Sequence, residues 1–239
     1  MFGVSTFCLH NQPLSAALHE LGKITRYVEI MDEGLHFLED SSPLASHSLH
    51  YTLHAPSRGV NIASLLEPIR RASVEVTGQC FEVAADVGAS VIVHPGYFAW
   101  EEERPRAELQ LKRSIHDLTR MADDLGIQFF LENMGNWNYF FLKTPDEMPL
   151  LDGTGFALDV GHAHLNHCLP AFLEYPIRHI HLHDNDGKED THMPVGAGTI
   201  DFLPVMKAVE REKIIPVIEV DTLEGVRMSI SALDRLSRV

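Results

Sequence analysis

The chain has 239 residues, with 19 Lys plus Arg against 34 Asp plus Glu and a formal net charge of -15. That length suits one large α/β domain of roughly 200 to 250 residues, and the acidity argues against a polyanionic partner, because nucleic-acid-binding surfaces are basic. Three scattered cysteines, Cys8, Cys80 and Cys168, make no CxxC pair and no disulfide framework, which suits a reducing compartment.

In chain order, short β-rich apolar runs alternate with helical patterns, as βα units in a parallel sheet require. The runs lie near Phe2 to Phe7, Tyr27 to Ile30, Leu49 to Leu53, Ser90 to Val93, Gln128 to Leu131, Phe156 to Leu158, Arg178 to Leu182 and Pro216 to Ile218. Helical spacing is clearest over Ile62 to Val87 and Ala107 to Leu125, with Gly88 and Gly126 placed as C-terminal stops. Shorter helices are predicted near Thr144 to Leu150, Leu169 to Glu174, Phe202 to Arg211 and Gly225 to Leu236, with Thr144-Pro145 as an N-cap and a proline at the first helical position. No linker or repeat divides residues 1–239, so the expectation is a single domain, a closed (β/α)8 TIM barrel. The first residues lack a basic segment followed by a long apolar one, and no apolar run approaches the ~20 residues that span a bilayer. A cytoplasmic protein without a membrane partner is expected.

Barrels of this kind carry their chemistry at the C-terminal ends of the strands. Six potential metal ligands stand there, His54, His94, Glu132, Asp159, His181 and Glu219, with His162, Asp190 and His192 just downstream. Ionisable groups after apolar strands are costly to bury unless paired or metal-bound. Mixed imidazole and carboxylate donors suit zinc, manganese or iron better than magnesium.

On these motifs the chain resembles the xylose isomerase-like TIM-barrel superfamily, and within it the endonuclease IV branch, the family 2 apurinic/apyrimidinic endonucleases. The likeness runs from Leu53-His54-Ala55-Pro56 through Val93-His94-Pro95-Gly96, Leu131-Glu132-Asn133 and Leu158-Asp159-Val160-Gly161-His162 to Ile218-Glu219. Glu132, Asp159, His181 and Glu219 match the four-ligand set shared with one-metal sugar isomerases and 3-epimerases. His54, His94, His162 and Asp190-Thr191-His192 match the further ligands of a three-metal site; 3-epimerase relatives commonly carry an Arg where that last pair stands. The resemblance implies three divalent ions, with zinc foremost and manganese or iron as alternatives. It places His54, His94 and Glu132 on the first ion, Glu132, Asp159, His181 and Glu219 on the second, and His162, Asp190 and His192 on the third.

The implied activity is metal-dependent phosphoester hydrolysis, on abasic-site DNA or a smaller phosphorylated compound. The alternative is a sugar or sugar-phosphate isomerase or epimerase, in which Glu132 and Glu219 are also the catalytic proton-transfer bases. Composition favours a small phosphorylated or sugar substrate over DNA. Ser57-Arg58-Gly59 stands where DNA-processing members carry an aromatic wedge, and both Met31-Asp32-Glu33-Gly34 and Glu101-Glu102-Glu103 are acidic. Tyr97, Phe98 and Trp100, with Trp137, Tyr139, Phe140 and Phe141, read as a packed loop lid or as stacking surfaces. The glycines of Pro194-Val195-Gly196-Ala197-Gly198 serve either a substrate or a tight turn. His10 and His183 face the mouth without counting as ligands, and Asp184 is a candidate to orient a ligand imidazole. His19, His36, His47, His50, His116, His164, His167 and His179 read as surface or packing residues.

Overall fold

A computed structural model describes residues 1–236, in which eight parallel strands close on themselves in sequence order. They are β1 (Gly3–Ser5), β2 (Tyr27–Met31), β3 (His50–His54), β4 (Val91–Val93), β5 (Phe129–Glu132), β6 (Gly155–Asp159), β7 (His179–Leu182) and β8 (Val217–Ile218). Pairing of Gly3 with Val217 and Val4 with Ile218 completes the ring, so the fold is the expected TIM barrel. Runs such as Val91-Ile92-Val93 are apolar throughout because both faces of a parallel strand are covered.

The helices around the strands are α1 (Leu14–Leu21), α2 (Ser42–Ala45), α3 (Glu67–Val87), α4 (Arg104–Leu125), α5 (Val160–Leu165), α6 (Leu169–Phe172), α7 (Phe202–Glu212) and α8 (Leu223–Leu236). Gly88 and Gly126 end α3 and α4 with φ of 67° and 70°, the left-handed C-cap that glycine adopts without a Cβ penalty. The helix expected from Ile62 begins at Glu67, where Pro68 occupies the first turn. The preceding residues form a loop held by Asn61, whose side chain accepts from Ala63 N and Tyr97 N. Thr144 and Glu147 form a capping box, but the segment they start, Pro145–Leu151, is a 3-10 helix. Pro149 inside it cannot donate the bond that an α-helix needs.

Most of the apolar core lies between the strands and this helical shell, where Phe156 of β6 stacks on Phe172 of α6 with ring centroids 5.5 Å apart. Inside the barrel the filling is uneven. Ile92, Phe130 and Ala157 make a small apolar cluster under β4, β5 and β6, whereas Glu29, His179 and His181 meet as a polar group between β2 and β7. No helix among the described residues is long and apolar enough to cross a membrane.

Candidate metal centre

Parallel closure brings every strand's C-terminal end to one face. His54, Glu132 and Asp159 are the last residues of β3, β5 and β6, His94 and Glu219 directly follow β4 and β8, and His181 lies one residue before the end of β7. Their side chains converge on Glu132: His54 Nε2 and His94 Nε2 lie 3.1 and 3.2 Å from its Oε2, and His181 Nδ1 lies 3.1 Å from its Oε1. His181 Nδ1 is also 3.2 Å from Glu219 Oε2 and 3.8 Å from Asp159 Oδ2. On the far side, Asp190 Oδ2 lies 3.3 Å from His162 Nε2 and 3.1 Å from His192 Nε2. The nine side chains thus lie in overlapping donor groups: His54, His94 and Glu132 form a first, Asp159, His181 and Glu219 a second, and His162, Asp190 and His192 a third, and Glu132, Asp159 and His162 meet as a fourth that links them.

How the rings are held fits them for metal. His54 Nδ1 donates to Ala55 O, His162 Nδ1 to Asn133 O and His192 Nδ1 to Glu219 O, all at 2.9–3.0 Å, which leaves each Nε2 lone pair aimed inward. Ligand imidazoles are typically fixed in this way through their second nitrogen. Two donors on one tetrahedral ion at ~2.05 Å sit about 3.3 Å apart, close to the contacts of 3.1 to 3.3 Å around Glu132 and Asp190. Asp190 Oδ1 is buried without a hydrogen-bond partner, an open acceptor in the third group. Mixed imidazole and carboxylate donors suit zinc, manganese or iron.

Local structure ties the groups together. The Asp159 side chain caps α5 by accepting from His162 N at 2.7 Å, so one carboxylate serves the second group and positions a histidine of the third. His183, set aside as a ligand in the sequence, is buried with Nε2 2.9 Å from Asp159 Oδ1, stacks on His192 with centroids 4.0 Å apart, and belongs to the third group. Gly161 makes room for it: a Cβ there would meet the His183 ring at 1.9 Å. Asp184 orients no imidazole. Its two oxygens accept from the backbone N–H groups of Asn185, Gly196, Gly198 and Ile200, and a Cβ on Gly198 would meet Asn185 O at 2.3 Å. Those glycines therefore serve the chain's own tight turn.

Charge is concentrated here. Burial disfavours the ionised carboxyl of Glu132, yet His181, His54 and His94 outweigh it and hold Glu132 well below the usual range. Burial likewise opposes protonation of the histidines, but carboxylates prevail. His54 is pushed up to about 9 by Glu132, His162 to about 10 by Asp159 and Asp190, and His192 to about 9 by Asp190. Without metal, the neighbouring carboxylates thus favour the protonated form of these rings.

A test follows from the sign of these shifts. The folded values lie above the unfolded value near 6.5, so this stabilisation is complete below about pH 6.5 and lost as pH rises through about 9 to 10. The melting temperature of metal-free protein is expected to fall across that window, and metal-loaded protein, whose rings are already deprotonated, to lose this dependence. A metal-free melting temperature that is flat from pH 6.5 to 9.5 would show that the rings are neutral.

The centre opens into a cleft of about 930 Å³, with a side chamber of about 400 Å³ between the loops after β3, β4 and β5. Arg58 is the one Lys or Arg among the described residues lining the cleft, beside Asp32, Glu33, Asp190 and Asp221. The acidic loop after β2 is structural: Asp32 accepts from Leu38 N, burial pushes its carboxyl up to about 6, and Glu33 accepts from Ser57 N and its hydroxyl. Glu101 and Glu102 are exposed at a helix start. Of the aromatic residues, Phe98 and Phe141 are buried lid packing, a bridge from Tyr97 to Phe140 joins the two loops, and Trp137 sits edge-on to His162 in the cleft. His10 lies on the cleft rim, whereas His36 is buried between Thr6 and Gln12.

Comparison with known proteins agrees with this architecture. The chain is 34% identical to an uncharacterized protein of Methanocaldococcus jannaschii across 99% of both chains. It is 28% identical to a probable endonuclease 4 of Mycobacterium ulcerans across 82% of both. Among solved structures it resembles a D-tagatose 3-epimerase-like protein, with a TM-score of 0.89 and 26% identity over 99% of this chain and 97% of that one. The family model described as the xylose isomerase-like TIM barrel matches residues 39–236, and the chain belongs to that family.

Proposed function

We propose that this protein is a metal-dependent phosphoester hydrolase with a three-ion centre, acting on a compact phosphorylated substrate. The observation that carries the reading is the third donor group. A one-metal isomerase site needs only Glu132, Asp159, His181 and Glu219, yet His162 and His192 close on Asp190 Oδ2 beside it, with His183 behind them. The likeness to a probable endonuclease 4 supports the same reading.

Divalent ions bound there would supply Lewis acidity, easing the ionisation of water near neutral pH and neutralising charge on phosphoester oxygens. The chain's own residues do the rest. His54, His162 and His192 are oriented by backbone carbonyls, and Glu132 joins the first two groups through its two oxygens. Arg58 stands at the cleft mouth, where an anionic substrate would pass. Four carboxylates outside Glu132 and Glu219 against one Arg among the described residues lining the cleft, with a net charge of -15, favour a compact substrate over long DNA, whose binding is sustained by many cationic phosphate contacts.

A sugar or sugar-phosphate isomerase or epimerase is the second reading. It is favoured by the likeness to the D-tagatose 3-epimerase-like structure and by Glu132 and Glu219 standing 3.1 and 3.2 Å from His181 Nδ1, where two bases can flank one ion.

One metal-loaded preparation, assayed for ion content and for turnover of abasic-site duplex, small phosphoesters and ketoses, separates these readings. Close to three divalent ions per chain and cleavage of small phosphoesters are expected. Saturation at one ion with ketose epimerisation would install the second reading, and efficient, salt-sensitive incision of abasic DNA would overturn the assignment of a compact substrate.

A further inference from the structure

His181 is anchored unlike His54, His162 and His192. His54, His162 and His192 each spend a ring nitrogen on a backbone carbonyl, but the His181 Nε2 faces away from the centre and meets Glu29 Oε1 at 2.8 Å. Glu29 lies in the middle of β2, fully buried, and reaches into the barrel interior toward β7. Its second oxygen lies 2.8 Å from His179 Nε2 and accepts from Thr52 Oγ1 at 3.0 Å. Glu29 Oε1 and the two Nε2 atoms make no aligned hydrogen bond, and the rings meet the Glu29 carboxylate as close polar contacts at 2.8 Å in the barrel interior.

A charged group at this depth is costly unless it is paired. Nothing in the packing demands it, for the opposite side of the barrel interior is filled by Ile92, Phe130 and Ala157. A buried ion of its own between Glu29, His179 and His181 fits poorly. Two donors on one tetrahedral ion sit about 3.3 Å apart, whereas these contacts are 2.8 Å, the separation of a charge-assisted N–H to carboxylate contact.

We propose that Glu29 is the positioning residue of the metal centre: it holds the His181 proton on Nε2 when metal is bound, so that Nδ1, which faces Glu132, Asp159 and Glu219, is the nitrogen offered to the ion. The inference rests on the metal reading given above and adds a residue that touches neither ion nor substrate. A carboxylate behind a ligand imidazole fixes its tautomer and raises its basicity, and loss of such a partner typically lowers metal affinity by ~10- to 100-fold. His179 and Thr52 hold the carboxylate from its other side and keep it aimed along β7.

The test compares wild type with Glu29→Gln, which keeps the shape and removes the charge, by chelator competition for zinc. One zinc ion is expected to weaken by ~10- to 100-fold while the others hold. In the zinc-loaded wild type, nitrogen-15 NMR of the histidine rings is expected to show His181 protonated at Nε2 and metal-shifted at Nδ1, a readout that requires no variant to fold. A purely structural role would lower the melting temperature of Glu29→Gln and leave zinc affinity per folded chain unchanged, and that result overturns the proposal. So does a His181 ring protonated at Nδ1. A wild-type chain that takes up no zinc overturns the metal reading and this proposal together, whereas wild-type uptake matched by Glu29→Gln overturns this proposal alone.

Discussion

Glu132→Gln is expected to abolish turnover, by ~10³-fold or more, because one isosteric change removes the charge on which two donor groups depend. Its Oε2 faces His54 and His94 and its Oε1 faces His181, all within 3.2 Å. Losing a tenfold in rate takes only about 1.4 kcal/mol, and a buried carboxylate that faces three histidines contributes about two to three times that to holding charge. Ion content is expected to fall with the rate, because Gln offers one neutral oxygen where a carboxylate offered two. The variant keeps the volume at a position only 2% exposed, so the barrel should persist. Elemental analysis and steady-state kinetics on the same sample check the claim. Wild-type ion content and rate in Glu132→Gln would remove this residue from the centre under either functional reading.

His192→Ala is expected to separate the two readings. The ring touches Asp190, stacks on His183 and lies tilted against Phe7, so its removal opens the third donor group without reaching Glu132. For a three-ion hydrolase the ion content should drop by about one per chain and phosphoester cleavage by ~10²- to 10³-fold, the range over which one charge-stabilising group acts. Folding should hold, because the site sits at the mouth of the barrel rather than in its packed layers. An isomerase working through Glu132 and Glu219 would keep most of its ketose conversion in this variant. Full phosphoester cleavage by His192→Ala would defeat the three-ion mechanism.

The strands were legible because most are short, largely apolar runs, and their ends announced themselves where the run stops at His54, Glu132 or Asp159. Gly88 and Gly126 were legible for a local reason, since a left-handed cap needs no tertiary partner. The six-residue α5 was hidden: Val160–Leu165 is too short for helical periodicity to register, and its cap is the candidate ligand Asp159 itself. Glu29 left one overlooked signal, a carboxylate inside the apolar strand Tyr27-Val28-Glu29-Ile30, which cannot be buried without a partner. His179 looked like ordinary packing because that partner lies 150 residues earlier, across the barrel.

By itself the sequence determined the eight strand runs, the stops of the two long helices and the ionisable residues at or beside the ends of six strands, because periodicity and capping are properties of neighbouring residues. Only the tertiary structure decided which nitrogen of each ring faces inward, that His183 joins the third group, that Asp184 binds its own turn, and that Glu29 stands behind His181. These depend on closure of the ring, where β1 meets β8 and β2 faces β7 across the interior. Contacts of that kind join residues far apart in the chain, and no local pattern encodes the direction in which a side chain meets a partner that closure alone supplies.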